Sequence, residues 1–399
     1  MSALVDESLP EATGPVGRPA GHARLTGAVF LIGIAVALPL GMLGVNAFLR
    51  FSENRRLAEF PRVELLLRDP KAFVHGLEAY VSDHFALRPL LIGSIGYVKW
   101  KLAVGASPQV IVGRDDWMFH ACAGCLEDSL GVAQPRTDVL QTWTTGFAER
   151  ARWMNARRTK MVVLLVPKKE AVYPEYLPAW ARGSGGSTHV GHLLDAVRGS
   201  ELDVLYPLAQ LRAKKTAGKL YYKFDSHLTM LGGKEAAEIL LRHLHERYGM
   251  PFMPAAFQVT PKYATTGPTG DRLDLGVLQG IPWLGETDYG IVPVGGRATT
   301  IKALPDTRVA GGVTSKNDPS LPTLLMYCDS FGASLVPFLA EHFRRAVFIN
   351  VWARGEMVQQ FPVRWIEEEQ PDFLVYERWE AGLSTPVINP DEVRRASLP

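Results

Sequence analysis

The sequence predicts an α/β protein in which a parallel sheet is flanked by helices, with a β-rich insertion and an N-terminal transmembrane helix. Three observations carry this. Short, wholly apolar runs alternate with amphipathic stretches; residues from about 251 to 322 turn rich in Gly, Pro and Thr; and one early run is charge-free for about two dozen residues. Buried parallel strands read as continuous apolar runs, whereas flanking helices show the 3.6-residue period. At 399 residues the chain is long enough for one large core or two modest ones. Its net charge of +2 gives no sign of a dedicated nucleic-acid binder, which needs a concentrated basic face.

Residues 1–25, rich in Pro, Gly and Ala without periodicity, read as a flexible leader. Thr26 to Leu49 (26–49) lacks charge and at about 1.5 Å per residue spans a bilayer. A cleaved signal peptide competes, with Val45-Asn46-Ala47 as small residues near a cut. The run exceeds the usual apolar region of a signal and follows a long polar leader, so an uncleaved anchor is the reading taken, with Pro39 as a kink. Arg18 and Arg24 before it, against Arg50, Arg55 and Arg56 after it, leave orientation open.

Beyond the anchor, 50–399 reads as one catalytic-type domain. Phe73, Leu77, Tyr80 and Val81, then Leu90, Leu91, Ile95 and Val98, predict two helices broken near Arg88-Pro89. Gln109 to His120 alternates as strand and turn. Cys122 and Cys125 lack a second ligand pair for zinc, and read as a local disulfide or two unpaired thiols in a loop. Helix is expected over Val139–Arg157, strand over Met161–Pro167 and Asp203–Pro207, and helix over Met230–Tyr248 capped by Thr229. After the insertion come a strand ending in TLLMYCDSF, a helix Leu335–Arg344, the strand AVFINVW, a helix Glu356–Glu369 and the strand PDFLVYE.

Chemistry in such folds gathers at the carboxyl ends of strands. Asp329-Ser330-Phe331-Gly332 falls where a strand ends and a helix begins, with backbone N–H groups placed to hold an oxyanion. A serine hydroxyl needs a base, and Asp225 with His227, in KFDSHLTMLGG, supplies an imidazole and a carboxylate to orient it. The bland readings are a helix cap and a polar turn. Asp83-His84 reads as structural; His189 and His192 sit in a Gly/Ser-rich loop without a neighbouring acid; His243 and His245 read as solvated.

With these motifs in place the chain resembles the alginate O-acetyltransferase family of AlgJ/AlgX type, whose catalytic domain is SGNH-hydrolase-like. ENRRLAEFP, SDHFALR, VIVGRDDWMF, KFDSHLTMLGG, LLMYCDSFG and QPDFLVYERWE occur in the family's order. The resemblance implies a circularly permuted SGNH-like sheet and a triad of Ser330, His227 and Asp225, with the acid-base pair preceding the nucleophile. It further implies acetyl transfer through an acetyl-serine to a secreted exopolysaccharide, alginate-like or other, without cofactor or metal. The implied partners are a membrane-bound O-acyltransferase as acetyl donor and an exopolysaccharide synthesis and secretion complex. The implied location is the bacterial inner membrane, single-pass, with the catalytic domain in the periplasm.

Two positions depart from the family pattern: Leu228 stands where Trp usually follows the D-x-H, and Cys328 where Gly often precedes Asp-Ser. The carbohydrate-binding domain of some relatives is not expected here, since the sequence read ends at Pro399. Asn350, ending a strand, is the candidate further oxyanion donor. Lys223 and Tyr222, in the basic stretch RAKKTAGKLYYK, are candidate polymer contacts against a plain solvated loop, with Trp283 and Trp352 as candidate stacking residues. An acetylesterase with the same triad, or a non-catalytic polysaccharide-assembly protein, stays open.

Overall fold

A computed structural model describes residues 56–84, 88–122, 124–183, 185–252, 256–268, 270–294, 299, 301–304, 310–353, 356–357, 361–385, 388 and 393. The expected leader and the anchor at 26–49 lie outside the described residues. Among the described residues no helix is long and apolar enough to cross a membrane.

The chain divides into two units, 1–91 and 92–399. In the first, the helix Pro70–His84 carries an aromatic cluster in which Phe60 meets Phe73 and Tyr80 edge-on, and Tyr80 stacks on His84. Asp83 accepts the Ala58 N–H at 2.8 Å, a structural use of the Asp-His pair. A second helix, Arg88–Lys101, follows.

The second unit is built on a seven-stranded sheet. An antiparallel ribbon, β1 (Val110–Val112) and β2 (Met118–His120), precedes it. The sheet strands are β3 (Lys160–Val166), β4 (Asp203–Leu205), β7 (Lys302–Ala303), β8 (Ala310–Ser315), β9 (Thr323–Cys328), β10 (Arg345–Asn350) and β13 (Phe373–Trp379). Two further ribbons pair β5 (Phe257–Ala264) with β6 (Glu286–Pro293), and β11 (Trp352–Ala353) with β12 (Glu356–Met357). Sheet order is β4-β3-β13-β9-β10-β8-β7. The five strands from β4 to β10 run parallel, but β8 and β7 add antiparallel at one edge, so the sheet is mixed where a parallel one was expected. The edge pair comes from the Gly-rich stretch, whose short strands carry no apolar run of their own.

The central strands are buried on both faces, which is why they read as unbroken apolar runs. Val162, Leu164, Met326, Phe348 and Val375 point to one side, packing against the helix Met230–Tyr248. Val163, Leu165, Leu325, Val347 and Tyr376 point to the other, under the helix Thr137–Asn155. A satellite cluster of Trp100, Val110, Met118, Tyr222, Phe224 and Leu275 lies beside this core. Two expected helices are shorter: Leu335–Arg344 is a succession of short turns around Val336–Leu339, and the helix expected from Glu356 begins at Val363, after Pro362. Pro is favoured where a helix starts and excluded from its interior.

Candidate active site

At the carboxyl end of β9 the chain turns sharply into a 3-10 segment, Ser330–Ser334. Asp329 caps it: one carboxylate oxygen accepts the Phe331 N–H at 2.9 Å, and the other accepts the Trp379 N–H at 2.7 Å from the end of β13. The Asp329 N–H in turn donates to Glu377 Oε2 at 3.1 Å. The turn closes tightly because residue 332 is glycine; a Cβ there would sit 2.5 Å from that of Cys328. Ser330 is thereby lifted above the sheet edge, and its N–H, the first of the turn, has no acceptor within it.

Two more glycines shape the second segment, one closing it on itself and one bringing it against this turn. Met230–Tyr248 begins with Thr229 Oγ1 accepting the Gly232 N–H at 3.1 Å. A Cβ on Gly232 would lie 2.0 Å from the Leu220 carbonyl oxygen, and one on Gly233 2.2 Å from that of Ser334. Only bare backbone permits this approach, which places His227 beside Ser330. The Ser330 hydroxyl donates to His227 Nε2 at 2.8 Å, and His227 Nδ1–H donates to Asp225 Oδ1 at 2.7 Å, the tautomer that this chain of acceptors requires. Phe331 packs on the imidazole at 4.7 Å and Trp379 stacks on Phe331 at 5.1 Å, screening one side of the relay from water.

Burial alone would lower the His227 pKa, but the Asp225 carboxylate, helped by Asp274 and Asp329, raises it above the ordinary value. Burial likewise opposes ionisation of Asp225, yet the His227 contact and the N–H groups of Asp274 and His227 hold its carboxyl low. The imidazolium that forms when Ser330 gives up its proton therefore has a ready counter-charge. Burial beside the Asp329 charge pushes the Glu377 carboxyl well above the ordinary range. Asp225, His227 and Asp274 offer ligand atoms within 4.8 Å of one another, but the facing His227 and Asp225 atoms are spent on each other.

Of the remaining sequence candidates, Asn350 lies at the neighbouring strand end and the others fall elsewhere. Tyr222 is 1% exposed and sits in the satellite cluster, so its ring has no open face for a polymer. Lys223 Nζ donates to the Asp115 carbonyl at 2.9 Å. Arg212, Lys214, Lys215 and Lys219, the other cations of that stretch, likewise have acceptors on Ala171, Glu235, Glu175 and Glu286. Asn350 ends β10 in register with Cys328 and lines a cavity of about 260 Å³ with Cys328 and Ala333. The Trp283 ring lies against Gly93; Trp352 falls in β11, its side chain outside what is described. His189 opens a helix, not a loop, and finds its acid in Asp128 at 2.9 Å, while His243 pairs with Asp203. Cys122 and Cys125 form the local disulfide.

Sequence reasoning passed over Lys169, Asp274 and Glu286, all of which touch the Tyr222–His227 loop. The signal for the first was present: Lys168-Lys169-Glu170 follows the apolar run Met161–Pro167, at the end where sites form. Asp274 and Glu286 carry no such mark within the Gly- and Pro-rich stretch.

A family model described as SGNH hydrolase-like domain, acetyltransferase AlgX, matches residues 110–375. The chain belongs to that family. Proteins named probable alginate O-acetylase AlgJ are similar to it: that of Pseudomonas syringae pv. tomato is 25% identical over 257 residues (61% of this chain, 58% of the relative). That of Pseudomonas aeruginosa is 22% identical over 174 residues, 44% of this chain and 43% of the relative. The chain thus spans about half the length of the relatives it matches. Among solved structures, Bacillus cereus PatB1 superposes with a TM-score of 0.53 at 13% identity, over 71% of this chain and 97% of that one, a likeness of fold. The O-acetyltransferase domain of Pseudomonas putida AlgJ gives 0.46 at 17%, over 70% and 93%.

Proposed function

We propose that the AlgX-family domain of this chain is a polysaccharide O-acetyltransferase working through an acetyl-serine. The observation that carries the reading is the continuous hydrogen-bonded chain from Asp225 through His227 to Ser330, at 2.7 and 2.8 Å. As Ser330 Oγ attacks the carbonyl of an acetyl donor, His227 takes its proton and returns it to the leaving group, giving acetyl-Ser330. A sugar hydroxyl then enters; His227 removes its proton as it attacks, and that proton returns to Ser330 as the ester passes to the sugar. The oxyanion of each step falls to the Ser330 N–H, and to Asn350 from the neighbouring strand end.

The acceptor is a secreted polysaccharide; the names of the AlgJ relatives give alginate as theirs. Because the Asp225 to Ser330 relay uses only the chain's own groups, the donor has only to present an acetyl ester or thioester. A membrane-bound O-acyltransferase that carries acetyl groups outward is the partner assigned, within an exopolysaccharide synthesis complex. We place the domain in the periplasm, tethered by 26–49; the Cys122–Cys125 disulfide supports an oxidising compartment.

The test is incubation of the purified protein with an aryl acetate, with and without uronate oligosaccharides. Acetylated sugar, absent with Ser330→Ala, is the expected result. Acetate release alone, with no acetylated sugar from any oligosaccharide, makes the protein an esterase. Normal polymer acetylation in cells carrying Ser330→Ala assigns the chemistry to another protein.

A further inference from the structure

The base and its carboxylate stand on a loop, Tyr222–His227, that has no regular secondary structure, and loops do not hold side chains to tenths of an ångström unaided. Its backbone groups are buried and need partners. They find them in side chains from three separate parts of the chain. Lys169, 1% exposed at the start of the short helix that follows β3, donates from Nζ to the carbonyls of Tyr222, Lys223 and Asp225 at 3.0, 3.2 and 2.8 Å. Glu286, 6% exposed at the start of β6, accepts the N–H groups of Lys223 and Phe224, both at 2.8 Å. Asp274 accepts the Ser226 N–H at 2.8 Å and the Ser226 hydroxyl, while its own N–H donates to Asp225 Oδ2 at 2.9 Å.

The last contact matters most for the relay, because fixing Oδ2 turns Oδ1 toward His227 Nδ1. β6 also reaches the two ends of the segment: the Tyr289 hydroxyl accepts the Lys219 N–H at 2.9 Å and Asp288 accepts the Met230 N–H at 3.0 Å.

We propose that Lys169, Glu286 and Asp274 are positioning residues for the acid-base pair, and that the stretch bearing Asp274 and Glu286 serves the reaction as a brace on the catalytic loop. The inference rests on the reading of Asp225, His227 and Ser330 as a working relay. Charge is what the brace requires. Hydrogen bonds to an ionised partner are shorter and stronger than neutral ones, and a buried charge tolerates no loss of its partners, so the loop has one low-energy placement. A neutral substitute of similar shape fills the space but relaxes the geometry.

The full-length protein tests this in two variants, Glu286→Gln, which keeps shape and one carbonyl acceptor, and Lys169→Met. Three quantities are read: the NMR titration of the His227 imidazole, the rate at which a fluorophosphonate labels Ser330, and kcat and KM for an aryl acetate. In folded variants the proposal expects kcat to fall by about 10- to 100-fold with KM changed by less than about 3-fold, as displacement by an ångström does elsewhere. It also expects slower labelling and a His227 midpoint moved down toward its ordinary value of about 6.5. Variants that fold, titrate and label as wild type overturn it. Should Lys169→Met not fold, Glu286→Gln decides alone. Wild-type protein that labels at Ser330 but acetylates no sugar removes the transferase reading and leaves the brace standing; wild type that does not label removes both.

Discussion

The turn that carries Ser330 and the loop that carries His227 reach the same point by different means. The turn is shaped mainly by its own residues: a strand delivers it, Asp329 caps it two residues on, and Gly332 lets it close over Cys328, while remote contacts from Glu377 and Trp379 reach Asp329 alone among its hydrogen-bonding groups described. The loop owes little to its own sequence; Lys169, Asp274 and Glu286, which lie 48 to 63 residues from the loop atoms they hold, supply its partners. The nucleophile is thus placed mainly by local geometry and the base mainly by tertiary geometry. The first is cheap to encode and robust, whereas the second is sensitive to distant substitutions.

The largest test of that contrast removes the shared end-point. Ser330→Ala, with its fold intact because the hydroxyl's partner is His227 alone among the contacts described, is expected to lower kcat by on the order of 10⁴-fold in an aryl-acetate assay. Asp225→Asn strikes the loop side and is expected to cost about 10²- to 10⁴-fold, with a change of pH profile that Ser330→Ala cannot show.

The sign follows from the charges. In wild type the raised His227 pKa puts the acid limb of kcat/KM above pH 6.5, because the base must be neutral to act. With Asn at 225 burial is left as the dominant influence and the limb moves down. A limb that stays in place separates the observed titration from His227.

Gly233→Ala attacks the contact between the two regions, not either one. Its Cβ meets the Ser334 carbonyl oxygen at 2.2 Å, so backbone must move, and a loss of about 1–3 kcal/mol in denaturant unfolding is expected together with reduced activity. The same change at Gly249, which has open space around it but a positive φ of 70°, strains the backbone without separating the site, so activity per folded molecule is retained. Smallest is the Cys122→Ser, Cys125→Ser double variant. A disulfide closing so short a loop contributes at most about 2 kcal/mol by chain entropy, and kcat is expected unchanged.

Legibility in the sequence follows the same line. The apolar runs at 161–166, 324–328 and 373–376 announced buried strands, and Asp329-Ser330 at the end of one was readable as a site because strand-end turns are local events. The Gly232-Gly233 pair could also have been read, since two glycines in the first turn of a helix weaken it unless another backbone comes close. The helix expected over 335–344 was overestimated because apolar residues in short turns mimic helical spacing. The mixed edge of the sheet was not readable, for β7 and β8 are short and recruited by pairing with β10 rather than by their own pattern. Nor was the fate of RAKKTAGKLYYK, whose cations look free in one dimension and each find an acceptor in three.

By itself, then, the sequence determined the alternating architecture, the serine at a strand end and an aspartate two residues before a histidine, because each depends on neighbours within a few positions. The tertiary structure decided that the two motifs touch, that the paired carboxylate is held low while the imidazole is held high, and that remote Lys169 and Glu286 hold the loop. Those depend on distances between segments about fifty to a hundred residues apart, where short-range electrostatics and hydrogen bonds act only once the chain has brought the groups together.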